Sequence, residues 1–73
     1  MEFDQIVADF RVEGRLEMEK KLDAAVRSAR RQAGADRRRG VLVTRHDFDH
    51  FSVSLTPRVP FGFTQELDHA GRI

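Results

Sequence analysis

The chain has no cysteine, no tryptophan and no tyrosine, and only two prolines in 73 residues. A chain this short buries only about 60–65% of the surface its unfolded form exposes, so it is marginal without some staple. Disulfides, structural metals and oligomerisation are the usual ones. The missing cysteines exclude a disulfide framework and a thiolate zinc site, leaving a histidine/carboxylate site or another chain. Long apolar runs are missing as well. The longest aliphatic stretch, Val41-Leu42-Val43, falls far short of the ~20 residues of a membrane span. The first residues, Met1-Glu2-Phe3-Asp4-Gln5, are acidic where a secretory signal would be basic. A cytoplasmic location without membrane contact is the expectation. Catalytic signatures are absent too: there is no serine nucleophile elbow, no glycine-rich phosphate loop and no histidine pair at helical spacing. So small a domain also has little room for a ligand pocket of usual size. The reading is therefore of a protein that is not an enzyme and carries no cofactor.

What is present is charge, unevenly distributed. The net charge is +1. Residues 1–26 carry seven acids and four bases, residues 27–45 carry seven arginines and one acid (Asp36), and residues 46–73 carry four acids and two bases. A basic segment thus lies between two acidic ones.

Apolar or small residues recur at Phe3, Val7, Phe10, Gly14, Met18, Leu22, Ala25, Ala29 and Ala33. Steps of three and four are helical spacing. They predict one long N-terminal amphipathic helix over 4–33, with Asp4 as N-cap, Glu17–Lys21 and Asp23–Arg27 as supporting i,i+4 pairs, and Gly34 as the stop. Such a helix would run about 45 Å, whereas a compact chain of this size spans only about 30 Å. The overhang predicts a second copy covering the stripe, a homodimer with Met18, Leu22, Ala25 and Ala29 at its interface, unless the helix breaks at Gly14.

Residues 40–56 read as an antiparallel β-hairpin, two alternating β-rich runs around Asp47-Phe48-Asp49. Setting His46 opposite His50 places Arg45 opposite Phe51, Thr44 opposite Ser52, Val43 opposite Val53, Leu42 opposite Ser54 and Val41 opposite Leu55. One face then collects Val41, Val43, Phe51, Val53 and Leu55, and a one-residue slip would scramble it. Beyond it, Val59, Phe61 and Phe63 alternate with Pro60 and Gly62. An extended segment over 57–64 is expected, a third edge strand if it pairs at all, followed by a frayed tail over 65–73. The fold class is thus α+β in a single domain, helix first and hairpin second.

Three groups of residues carry the functional reading. Arg27, Arg30, Arg31, Arg37, Arg38 and Arg39 could form a phosphate-contacting ridge, especially if two chains of a dimer present them together. The flanking acids and the absence of tyrosine and tryptophan favour the other reading, a solvated face or the contact for an acidic protein. His46 and His50 are weak metal-ligand candidates that Asp47 or Asp49 could complete, but with no third histidine nearby (His69 is in the tail) and no cysteine the reading is against a metal. Phe48 at the turn tip marks a contact for a protein partner, and Phe61 and Phe63 either join it in an exposed apolar patch or plug the end of the chain's own core. The favoured function is a non-enzymatic, self-associating interaction or assembly module. The alternative is a small dimeric nucleic-acid-binding regulator using residues 27–39.

Overall fold

The structure, a computed structural model, describes residues 3–69. In chain order the elements are β1 (Gln5–Arg11), α1 (Arg15–Asp36), β2 (Gly40–Asp47), β3 (His50–Thr56) and β4 (Thr64–Asp68). The class is α+β, but the helix lies between strands instead of leading the chain. The four strands form one mixed sheet in the order β1-β3-β2-β4, antiparallel except for the β2–β4 pair. The helix lies on one face of this sheet.

The N-terminal third is where the spacing misled. Residues 5–11 form an edge strand along β3, not the first turns of a helix. Ala8, Phe10 and Val12 do alternate, as a strand facing a core should. A β-bulge between Ile6 and Ala8 adds one residue, Val7, to the strand, and this breaks the period of two. Val7 followed by Phe10 then mimics a helical step. Asp4, expected as an N-cap, instead accepts a 2.6 Å hydrogen bond from Arg58 Nη2.

The helix begins at Gly14, an N-cap with extended backbone and no side chain to offer. Glu17, in the first turn, ties down the residue before the cap instead, its Oε1 accepting from the Glu13 backbone N–H at 2.6 Å. The expected Lys21–Glu17 and Arg27–Asp23 pairs are present at 3.6 and 3.0 Å. The helix runs through Gly34 to Asp36, and Arg37 ends it in the left-handed conformation (φ 57°), its N–H bonded to Ala33 O at 2.9 Å. Its 22 residues span about 33 Å, matching the 34 Å long dimension of the molecule. Nothing overhangs, so the length argument for a companion chain falls away.

Ala25, Ala29 and Ala33 line the buried side of α1, and their small size lets the helix sit close to Val41, Val53 and Leu55. Val7, Ala8, Phe10, Leu22, Val26 and Val43 close the margins of this core. The β2–β3 register agrees with expectation from Val41↔Leu55 to Arg45↔Phe51. It departs at the tip. His46 is bulged out, so Asp47, not His46, pairs with His50, and the Asp47 carboxylate accepts from the Phe48 N–H at 2.8 Å.

Residues 57–63 form a strap of turns, not an extended edge strand. It crosses the start of β2: Gly40 N–H donates to Val59 O at 2.7 Å and Val41 N–H to Phe63 O at 3.0 Å. This crossing carries the chain to the far side of β2, where β4 pairs in parallel, Val41↔Thr64 through Arg45↔Asp68. Residues 65–68 of the segment expected to be frayed are therefore strand; residues 70–73 lie outside the described residues.

Two carboxyl groups tie pH to this architecture. The Asp4 carboxyl is held below its usual value, first by a hydrogen bond from Thr56 and then by Arg58. Glu17 is held down chiefly by the Glu13 N–H and further by Lys21. A carboxylate depressed in the folded state lends stability above its unfolded pKa, and that stability is lost as pH falls through the folded value. Melting temperature should therefore drop with acidification below about pH 4, the unfolded range of these groups. An Asp4→Asn/Glu17→Gln double variant should show a shallower acid limb in thermal melts followed by circular dichroism.

Candidate functional site

One helix covers one side of the sheet, and among the described residues no element packs on the other. The molecule is a slab of 34 × 27 × 16 Å, thin because of this open face. Alternation along each strand decides what the face carries. From β3 come His50, Ser52, Ser54 and Thr56; from β2, Leu42, Thr44 and the bulged His46. The registers bring Ile6 and Asp9 alongside from β1, and Gln65 and Leu67 from β4.

The centre of this face is polar but hardly exposed. Thr44, Ser52, Ser54 and Thr56 are all buried. Around them Ile6 is 67% and Leu67 42% exposed. The result is a low Ser/Thr floor with apolar shoulders.

Both edges of the sheet are guarded against pairing. The β1 edge is interrupted by its bulge, and β4 turns Glu66 and Asp68 toward the helix side, beside Val43 and Arg45. Bulges and inward-facing charges are standard protection for exposed edges. They leave the face, not the rim, as the surface open to contact.

At one end of the open face the three histidines meet. The His46 and His50 rings are 4.7 Å apart, and His69 stands edge-on to His46 at 6.5 Å. His46 Nε2 lies 2.8 Å from Ser52 Oγ, and His50 Nε2 lies 2.6 Å from Asp9 Oδ1. A third imidazole is thus nearby after all, brought in by β4, whose ladder extends to a His69 N–H bond to Arg45 O at 2.9 Å. Even so, no group of three or more His, Asp or Glu side chains among the described residues is placed to hold a metal ion.

The interface residues expected from the sequence are scattered by the fold. Ala25 and Ala29 are spent on the chain's own sheet and offer no outer surface. Met18 and Leu22 are half-buried and line a cleft of about 370 Å³ with Val43 and Phe51. Phe48 is 72% exposed at the hairpin tip, with the Arg45 guanidinium 5.6 Å from its ring centre.

The arginines are drawn into local partnerships. Arg27 pairs with Asp23 at 3.0 Å, and Arg30 Nη2 donates to Thr64 Oγ1 at 3.1 Å. Arg39 turns inward, donating to Gln5 Oε1 at 3.1 Å and Asp36 Oδ2 at 3.2 Å. The Arg38 N–H donates to Asp36 Oδ1 at 3.1 Å. Arg37 lies over the Phe61 ring at 5.9 Å, and Arg31 is exposed on the outer flank of α1. Phe61 and Phe63, assigned separately to a protein contact, are thereby set beside the basic end of the helix.

No family model, no curated protein and no solved structure matches this chain. No helix among the described residues is long and apolar enough to cross a membrane. The open-face residues that sequence reasoning did not place are Ile6, Leu67 and His69, which lie in segments read as helix and tail.

Proposed function

We propose that this chain is a non-enzymatic, self-associating interaction module, located in the cytoplasm, whose contact surface is the open face of its sheet. This moves the expected interface from the helix stripe to the opposite side of the molecule. The observation that carries the reading is a sheet with one bare face, apolar at its shoulders and guarded at both edges. Sheets in proteins of this kind gain stability by covering a second face, and a second copy supplies that cover at no cost in sequence.

The size of the face supports a copy as the occupant. A 34 × 27 Å slab offers an area comparable to the roughly 800 Å² each partner commits to a standard interface. The face also carries both signs of charge, Asp9 and Arg11 on β1, which suits an isologous two-fold contact.

Analytical ultracentrifugation of the wild-type chain should show a dimer, and an Ile6→Arg/Leu67→Arg variant should be monomeric. Removing two well-packed apolar contacts and burying charge in their place should weaken association by roughly 100-fold or more. Both side chains are exposed, so the variant should melt like dilute wild type. A wild-type chain that stays monomeric at several hundred micromolar would end the proposal.

A further inference from the structure

The fold joins two features that lie more than twenty residues apart in sequence, the arginines at the end of α1 and the two phenylalanines of the strap. Arg30 reaches Thr64, Arg37 covers Phe61, and between them opens a cleft of about 170 Å³. Ala33, Gly40 and Val41 give it an apolar lining, completed by Arg30, Arg39, Phe61, Gly62 and Phe63. Phe63 is 65% exposed, and among the described residues no other ring packs against it. An exposed aromatic face beside guanidinium groups is costly to leave in water and serves no packing need of the fold.

We infer that this cleft binds single-stranded nucleic acid, one base stacking on Phe63 and Phe61 and the neighbouring phosphates held by Arg30, Arg31 and Arg37. The chemistry of the walls selects this class of ligand. A base has an apolar π-face for the phenylalanines and guanidinium groups. The chain on either side of it carries the negative charge that the arginines attract. Of the acids on this side of the molecule, Asp36 is engaged with Arg39 and Asp23 with Arg27, while Glu66, two residues beyond Thr64 on β4, is outnumbered by Arg30, Arg31 and Arg37. A duplex presents phosphates but hides its base faces inside the stack, so it cannot use the ring of Phe63. A polyglutamate peptide would satisfy the arginines but has no ring to stack on the two phenylalanines.

The site is on the helix side of the molecule, away from the open sheet face, so it stands or falls independently of self-association. The test is fluorescence anisotropy with a labelled oligothymidylate, the corresponding duplex, and a labelled polyglutamate peptide. Single strand should bind in preference to duplex and peptide. With three phosphates engaged, affinity should fall by about 20-fold between 50 and 200 mM salt. Phe63→Ala should weaken single-strand binding by roughly 10-fold and Phe63→Tyr should restore it. Because the Phe63 carbonyl, not its ring, holds Val41, the fold should survive; circular dichroism verifies this. Arg31→Ala, which removes no internal contact, should flatten the salt dependence by about one phosphate's share. No binding at 50 mM salt, equal affinity for duplex with no effect of Phe63→Ala, or preference for polyglutamate would each overturn the inference.

Discussion

Replacing Gly40 by alanine, the addition of one methyl group, should remove roughly half of the chain's stability. A Cβ at this position would lie 2.4 Å from Pro60 O, 2.5 Å from Val59 Cγ1 and 2.7 Å from Val59 O. Two of these obstacles are backbone carbonyls, which cannot swing aside as a flexible side chain would. One of them, Val59 O, also accepts the Gly40 N–H at 2.7 Å. The strap must therefore lift, and lifting it pulls Val59 out of the core and strains the Val41–Phe63 bond at the start of β4. Overpacking of well-filled cores typically costs 1–3 kcal/mol, occasionally more, and loss of Val59 burial adds about 1–2 kcal/mol. A domain of this size has only roughly 4–11 kcal/mol in total. Urea titration should show the midpoint lowered by roughly half. A Gly40→Ala variant as stable as wild type would mean that the strap does not cross β2 as described.

Replacing Ala29 by aspartate should have an effect at least as large. Ala29 is wholly buried where α1 meets the sheet, and its neighbours across the gap are Val41, Val53 and Leu55. There is neither space for a larger side chain nor a partner for its charge. Burying an unpaired carboxylate costs far more than a lost hydrogen bond, enough to exceed the whole stability of the domain. The expected result is a chain with little fixed structure by circular dichroism and by amide dispersion in NMR spectra. A folded Ala29→Asp monomer would place the stripe at an outer surface, as the amphipathic pattern alone first indicated, and would contradict the helix-on-sheet packing.

These two positions also show how far residue pattern alone carries. The alanines at 25, 29 and 33 announced a close-packed side of a helix, but small residues serve equally for a helix of another chain and for a sheet of the same chain. What decided between them was β1. Once Gln5–Arg11 becomes a strand, the sheet is wide enough to take the whole stripe. That strand was hidden by a single bulge at Val7, which replaced alternation by a helix-like step. The hairpin was legible because Val41, Val43, Phe51, Val53 and Leu55 fall on one face in only one register. Its tip was not, because a bulge at His46 depends on what that ring touches, here Ser52 and His50, and not on alternation.

The strand over 64–68 was the least legible element. Thr-Gln-Glu-Leu-Asp has a single apolar side chain, and its place is set by backbone bonds that the strap lines up, not by burial. The open face was missed for the same reason, since its shoulders come from β1 and β4. The arginines and the phenylalanines were each singled out from sequence, but for different partners. Only the strap, folding back over Gly40, puts them within reach of one ligand.

The strand order has a bearing on how the sheet comes apart. β3 is laddered on both sides, to β1 and β2, while β1 and β4 are each held along one side only. Amide protons should consequently exchange slowest in the middle of the hairpin and fastest at the flanking strands, with β4, which lacks apolar anchors, releasing first. Detachment of β4 would release the hydrogen bond that ties Arg30 to Thr64 while leaving the helix seated on its three antiparallel strands. One arginine beside the cleft at the end of α1 is thus tethered to the strand expected to open first.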